Sequence, residues 1–314
     1  MAHQSRKALP QLAGGLFLTD GGIETTLIFR EGFELSYFAA FDLLKHDAGT
    51  EALRRYFRAY AAIAREHGVG IILESATWRA NPDWGVKIGY VAEALAEMNR
   101  KAIELLQSIR EEFQSDQTPV VISGCLGPRD DGYNPKAWMS PEEAQRYHGA
   151  QVAVFREAGV DMVSAITMTY PEEAIGITRT AHAVGLPAAI SFTVETDGRL
   201  PNGQTLKEAI EQVDRAADRG PAYYMINCAH PTHFDGVLTT GETWVSRIRG
   251  LRANASTKSH AELNEATTLD AGDPQQLGED YRRLTRQLPH LSVLGGCCGT
   301  DERHIDAIFR ACLA

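Results

Sequence analysis

The sequence predicts an α/β chain folded as a single-domain (β/α)8 TIM barrel, and three observations carry that prediction. Short runs rich in Val, Ile, Leu and Phe recur along the 314 residues, and each is followed by a longer stretch with helical spacing of apolar positions. The pairing repeats eight times without a break in composition that would divide the chain. Strand-then-helix repeats imply parallel strands with right-handed crossovers, and eight in one run close into a barrel more readily than they form an open sheet. A doubly wound nucleotide-binding sheet is the competing architecture. It needs G-x-G-x-x-G after a strand, whereas Gly14-Gly15 precedes the first strand and Gly21-Gly22 lacks the third glycine.

In chain order, residues 1–13 read as a flexible N-terminal extension, and strand 16–20 precedes helix 51–67. Strand 70–74 precedes helix 86–114. Strand 120–124 leads to helix 141–158, whose Ser140-Pro141-Glu142-Glu143 start sets a capping serine before a proline and two acids where the helix dipole favours them. Strand 161–166 leads to helix 172–184, and strand 188–192 to helix 206–219. Ala158-Gly159, Val184-Gly185 and Arg219-Gly220 each fit a glycine just past a helix end. Strand 222–227 precedes helix 234–247, strand 248–253 precedes helix 274–287, and strand 292–296 precedes helix 301–312. The polar link 254–274 is long for a loop and follows the seventh strand on the face where barrels place their function.

Composition removes several classes. Thirty-one Lys and Arg against 41 Asp and Glu give a formal charge of −10 with no basic run, so nucleic acid is not an expected partner. No apolar stretch approaches the roughly 20 residues that span a bilayer. The first nine residues have no apolar core of a signal peptide, so the expected compartment is the cytoplasm. Five cysteines are too few for a disulfide framework in so long a chain and are read as core filler, metal ligand or nucleophile. A homo-oligomer stays open.

Chemistry in a barrel sits where strands end. The sixth strand ends Met225-Ile226-Asn227-Cys228-Ala229-His230, and the eighth ends Gly295-Gly296-Cys297-Cys298-Gly299-Thr300. These ends are next but one around the barrel, so three thiols can converge. Zinc takes three thiolates tetrahedrally and keeps a fourth position open in catalytic sites. The other reading is three small buried hydrophobes. His230 and His233 are alternative fourth ligands of a closed site, and Cys125 and Cys312 read as packing.

The segment Gly295 to Thr300 followed by His304-Ile305, with Asn227-Cys228 upstream and Asp20-Gly21-Gly22 near the start, resembles the homocysteine S-methyltransferase family. The resemblance runs from about Leu16 to the C-terminus. It implies a zinc-binding barrel in which Cys228, Cys297 and Cys298 hold Zn(II) and a substrate thiol takes the fourth position. It further implies two small-molecule partners, a thiol and a cationic methyl donor of the S-methylmethionine, S-adenosylmethionine or betaine type. A free thiol has a pKa near 8.5, and zinc deprotonates it outright.

The same resemblance makes Asp20, in the DGG segment with Gly21, an acceptor for the amino group of an amino-acid thiol, and lets Asn227 orient Cys228 or the substrate. Glu24 is expected in solvent. Trp78, Trp84, Tyr133, Trp138 and Tyr170 follow strands two to four and form a candidate aromatic cluster for an onium methyl, with Trp78 and Tyr170 its substrate-binding members. Two positions depart from the family pattern. Ile166 stands where a glutamate usually helps hold the substrate ammonium, and Ala76 where asparagine is common, which puts homocysteine itself in question while leaving thiol methylation intact. Rival readings are a zinc hydrolase, a non-catalytic zinc or redox-sensing barrel, and a Schiff-base aldolase built on Lys258.

Overall fold

A computed structural model describes residues 8–133 and 135–314. Its eight strands pair in sequence order into a closed parallel barrel: β1 (Phe17–Leu18), β2 (Gly70–Glu74), β3 (Val120–Leu126), β4 (Met162–Met168), β5 (Ala188–Phe192), β6 (Tyr223–Asn227), β7 (Ile248–Ala253) and β8 (Val293–Gly296). The two-residue β1 closes the ring, with Phe17 in register with both Gly70 and Val293. Around it lie α1 (Ile23–Phe29), α2 (Asp47–His67), α3 (Pro82–Lys87), α4 (Ala92–Phe113), α5 (Pro141–Ala158), α6 (Pro171–Ala183), α7 (Leu206–Ala216), α8 (Pro231–Phe234), α9 (His260–Glu265), α10 (Pro274–Gln287) and α11 (Glu302–Leu313). Strand residues alternate between two buried layers. Ile71, Leu73 and Ile122 belong to the large cluster shared with the helices, whereas Phe17, Ile72, Val121, Met162 and Tyr223 form a smaller one inside the ring.

The expected caps form: Ser140 Oγ accepts from the Glu143 N–H while Glu143 reaches back to the Ser140 N–H, and Gly159 ends α5 at φ 83°. Four expectations change. Helix 86–114 is two helices, because Gly89 turns left-handed at φ 90° between α3 and α4, and Asn81 caps α3 earlier than expected. The expected helix 234–247 is only α8 followed by short 3-10 turns at Asp235–Val237 and Val245–Arg247. Its Gly236, Thr239, Thr240 and Gly241 are poor helix formers and no apolar stripe compensates. The link 254–274 contains α9, nucleated by a Ser259–Glu262 capping box. The N-terminal stretch is not loose where it is described: Pro10–Leu12 makes a 3-10 turn, and Leu9 and Gln11 are buried beneath the barrel, Leu9 within the inner cluster. Residues 1–7 lie outside the described residues. No helix among the described residues is long and apolar enough to cross a membrane.

Candidate metal centre and substrate cavity

Cys228 follows β6, and Cys297 and Cys298 follow β8, at the same end of the barrel. Their sulfurs all lie within 4.8 Å of one another, Cys228 Sγ standing 2.8 Å from Cys297 Sγ and 3.6 Å from Cys298 Sγ. Local backbone makes this convergence. Cys228 sits in the left-handed region at φ 57°, uncommon for a residue with a side chain and held here by hydrogen bonds from its N–H to Arg252 O and between its carbonyl and His260 Nε2. The β8 loop turns at Gly299, φ 79°, where a Cβ would meet Asp270 O at 2.7 Å, and it packs on Gly22, where a Cβ would meet Cys297 O at 2.6 Å. Glycine is required at both places.

The three thiols share charge. Hydrogen bonds from Cys228 and Cys298 hold the Cys297 thiol well below the ordinary range, with Arg252 adding to them against burial. Contact with Cys297 and Cys298, together with burial, pushes Cys228 up. Such a trio is the donor set of a tetrahedral zinc, whose sulfur ligands at about 2.3 Å from the metal lie roughly 3.7 Å from one another, a spacing that Cys228 and Cys298 already have and that Cys228 and Cys297 would open from 2.8 Å to reach. No histidine or carboxylate joins the trio among the described residues, which leaves a fourth position. His230 Nδ1 instead accepts from the Thr232 N–H, and His233 Nε2 lies 2.9 Å from Thr257 O, so neither completes a closed site. Tyr133 Oη stands 3.2 Å from Cys228 Sγ and 3.4 Å from Cys298 Sγ, its ring stacked on His260 at 4.1 Å.

The cysteines form one wall of a cavity of about 350 Å³. Its depth is ionic. Arg252, buried at the end of β7, donates from Nη2 to Asp20 Oδ1 at 2.5 Å, and the Tyr56 hydroxyl donates to Asp20 Oδ2 at 3.0 Å. Glu74, the last residue of β2, lies 3.9 Å from Arg252 Nη1. Burial pushes the Glu74 carboxyl up to about 7 against the pull of Arg252, and burial likewise lifts Glu24 to about 7.

Comparison with known proteins fits this geometry. A sequence model described as homocysteine S-methyltransferase matches residues 17–312. The chain belongs to the homocysteine S-methyltransferase family. Betaine–homocysteine S-methyltransferase 1 of Rattus norvegicus is 24% identical over 318 residues, covering 94% of this chain and 72% of that protein. Homocysteine S-methyltransferase 1 of Arabidopsis thaliana is 22% identical over 320 residues, covering 95% and 93%. The metallated homocysteine methyltransferase MmuM from Escherichia coli shares the fold, with a TM-score of 0.74, 19% identity, and coverage of 95% and 96% of the two chains. As a member of the family the chain is an enzyme, an S-methyltransferase.

In this homocysteine S-methyltransferase family member the structure brings Cys228, Cys297, Cys298, Asp20, Gly21, Trp78, Tyr133, Ala76 and Ile166 together around the cavity. Trp78 Nε1 donates to Ile166 O, and Gly21 O accepts from Tyr56. Asn227 takes no place in the lining. Its Oδ1 accepts from Thr167 N–H and Ser191 Oγ, and its Nδ2 donates to Thr167 Oγ1 and reaches Cys297 Sγ at 3.8 Å, so it braces β4 and the sulfurs. Tyr170 is also outside the cavity, because its hydroxyl accepts from the Met139 N–H and its ring meets Trp138 edge-on at 4.7 Å. Trp84 is occupied by the cations of Arg79 and Lys87 at 3.9 and 3.7 Å. Glu24 is a lining residue rather than a solvated one. Glu74 and Arg252 were missed although each ends or nearly ends a strand. A charged residue inside an otherwise apolar strand is the signal that finds them.

Proposed function

We propose that this protein is a zinc-dependent methyltransferase that moves a methyl group from an onium donor to homocysteine, giving methionine. The observation that carries the reading is the convergence of the Cys228, Cys297 and Cys298 sulfurs on the wall of the cavity at the barrel mouth, with no fourth protein ligand among the described residues. Zinc in such a site supplies an electron-rich substrate thiolate at neutral pH. That sulfur forms its bond to the methyl carbon as the carbon–sulfur or carbon–nitrogen bond of the donor breaks. The bonding pair leaves with a neutral sulfide or amine, so charge and atoms balance.

The chain's own residues supply the rest. The cavity holds both reactants in line, a large part of any rate gain for a two-substrate reaction. A second depression of about 510 Å³ adjoins its mouth, sharing Asp131 and Tyr133 with it. There Asp130, Asp131, Glu195 and Glu265 stand against the one lysine, Lys136. Such a negative rim concentrates a cationic donor and repels anions. Trp78 and Tyr133 line the cavity, each with one ring face already covered, by the Arg79 guanidinium at 4.0 Å and by the His260 ring at 4.1 Å, so the opposite face of each is what the onium methyl would meet. A reducing cytoplasm suits three neighbouring thiols that must stay unoxidised.

The test is mass-spectrometric detection of methionine after zinc-loaded protein is incubated with homocysteine and S-methylmethionine, S-adenosylmethionine or betaine in turn. Methionine from at least one donor, with none from Cys298→Ser, is the expected result. Full activity in a zinc-free variant would sink the metal mechanism.

A further inference from the structure

We propose that Glu74 is the specificity residue that takes the ammonium group of the acceptor thiol, Asp20 being unavailable because Arg252 already neutralises it. The proposal rests on the reading of the cavity as a methyltransferase site.

Three observations carry it. First, Glu74 is 4% exposed and lines the cavity, yet neither of its carboxylate oxygens has a hydrogen bond of good geometry, the Ser164 hydroxyl being a weak neighbour that only partly offsets burial. A buried carboxylate left this way is costly, and partners for such groups are nearly always present when the site is filled. Second, the nearest cation acts on Glu74 through charge alone and makes no hydrogen bond to it. Arg252 Nη1 is 3.9 Å away, beyond hydrogen-bond reach, because Arg252 directs Nη2 to Asp20 and Nε to Gly296 O. Third, the charges leave one place. With Asp20 and Glu74 ionised and Arg252 cationic, the group carries one net negative charge, Glu24 on the same lining being offset by Arg79, and a single alkylammonium neutralises it while offering three N–H donors to the Glu74 oxygens.

Asp20 is already engaged, since one oxygen is bound by Arg252 at 2.5 Å and the other shares the single Tyr56 hydroxyl hydrogen with Gly21 O. Position 166, also in the cavity lining, offers only the Ile166 side chain. The ammonium site of this chain has therefore moved to the end of β2. The ligand class that follows is a thiol bearing a primary amine, and a desamino thiol of the same length should lose the contact.

The experiment compares homocysteine with 4-mercaptobutanoate, which lacks only the amino group, as acceptors for the zinc-loaded wild type, Glu74→Gln and Asp20→Asn. Glu74→Gln should raise KM for homocysteine about 100-fold, the size of a buried charge-assisted hydrogen bond, with kcat changed less than threefold and KM for 4-mercaptobutanoate unchanged. Asp20→Asn should not show this selectivity, and Glu74→Asp should recover part of the homocysteine KM. Calorimetric binding of the two thiols is the second readout. If the wild type methylates neither thiol with any donor, the methyltransferase reading fails, and the binding ratio alone decides the ammonium site. An equal effect of Glu74→Gln on both thiols, an effect on the KM of the donor instead, or failure of homocysteine to bind the wild type overturns the proposal.

Discussion

The sulfur side and the carboxylate side of the barrel mouth are built on different terms. On the sulfur side the supports are saturated: Asn227 uses both ends of its amide, and the Tyr281 hydroxyl accepts from the Ala253 N–H while donating to Gly295 O just before the cysteine pair. On the carboxylate side Glu74 has no hydrogen bond of good geometry, and one arginine serves two acids. The difference follows from range. Thiolates bond a metal at about 2.3 Å, so three sulfurs must be placed within a few tenths of an ångström and every support is fixed. A carboxylate acts on a cation through charge over several ångströms, so the end of any neighbouring strand can provide it.

The sharpest way to test the sulfur side is to remove one ligand. Cys298→Ser should lose bound zinc and lower turnover more than 10³-fold, while the fold persists because the cysteine contributes little to either apolar layer. Metal content by elemental analysis and product formation should fall together. Activity that survives without metal would mean that the convergence is packing rather than a metal site.

The corresponding test of the carboxylate side removes its single cation. Arg252→Met leaves Asp20 and Glu74 buried without a counter-charge, a change that costs about 3–5 kcal/mol where a buried pair is broken from one side. Denaturant unfolding should show that loss. Adding Asp20→Asn and Glu74→Gln to the same chain should restore most of it, since the three polar groups are then replaced as a set. No recovery would place the role of Arg252 elsewhere, in its Nε bond to Gly296 O behind the cysteines.

The same contrast in range decides what the sequence could reveal. The convergence of Cys228, Cys297 and Cys298 was legible because barrel chemistry gathers where strands end and glycines announce the turn that joins the pair. The strands were legible because burial on both faces leaves continuous apolar runs, and β2, β5 and β7 lie at the expected residues. The α3–α4 break was hidden because the apolar spacing continues across Gly89. Glu74 and Arg252 were hidden because their meaning depends on each other, across a ring whose closure through β8 brings β7 near β1 and β2. Asn227 was placed beside the substrate, but an amide at a strand end satisfies backbone groups as readily as ligands, and the left-handed Thr167, φ 64°, is what it serves.

A smaller effect separates the charge of Glu74 from its shape. Its carboxyl is raised from an ordinary 4.5 to about 7 by burial, so between those values the folded chain keeps a proton that the unfolded chain has lost. Stability from this group therefore falls as pH rises from about 4.5 to about 7 and is level above. The difference in unfolding free energy between Glu74→Gln and the wild type should shift in favour of the variant by about 3 kcal/mol from pH 5 to pH 8. Glu24 titrates in both proteins and cancels from the difference. A flat difference would show that Glu74 is ionised throughout, fully paired by Arg252, and so not free for a substrate amine.

The smallest expected effect comes from the opposite end of the barrel and asks whether the two sides of the mouth respond only to local change. Leu9 lies in the inner apolar cluster, and Gln11 Nε2 reaches Tyr223 Oη at 3.4 Å and Met162 Sδ at 3.2 Å, so the described N-terminal residues plug the floor of the ring. Leu9→Ala should cost about 1–2 kcal/mol, below the usual range for a core leucine because the segment is near the chain end and can relax. Zinc content and the homocysteine KM should stay at wild-type values, since Phe17, Ile72 and Val293 still fill the layer between floor and mouth. A change in KM without loss of zinc would be the informative failure. It would mean that the ionic side of the mouth, lacking saturated supports of its own, depends on packing at the far end of the barrel while the sulfur side does not.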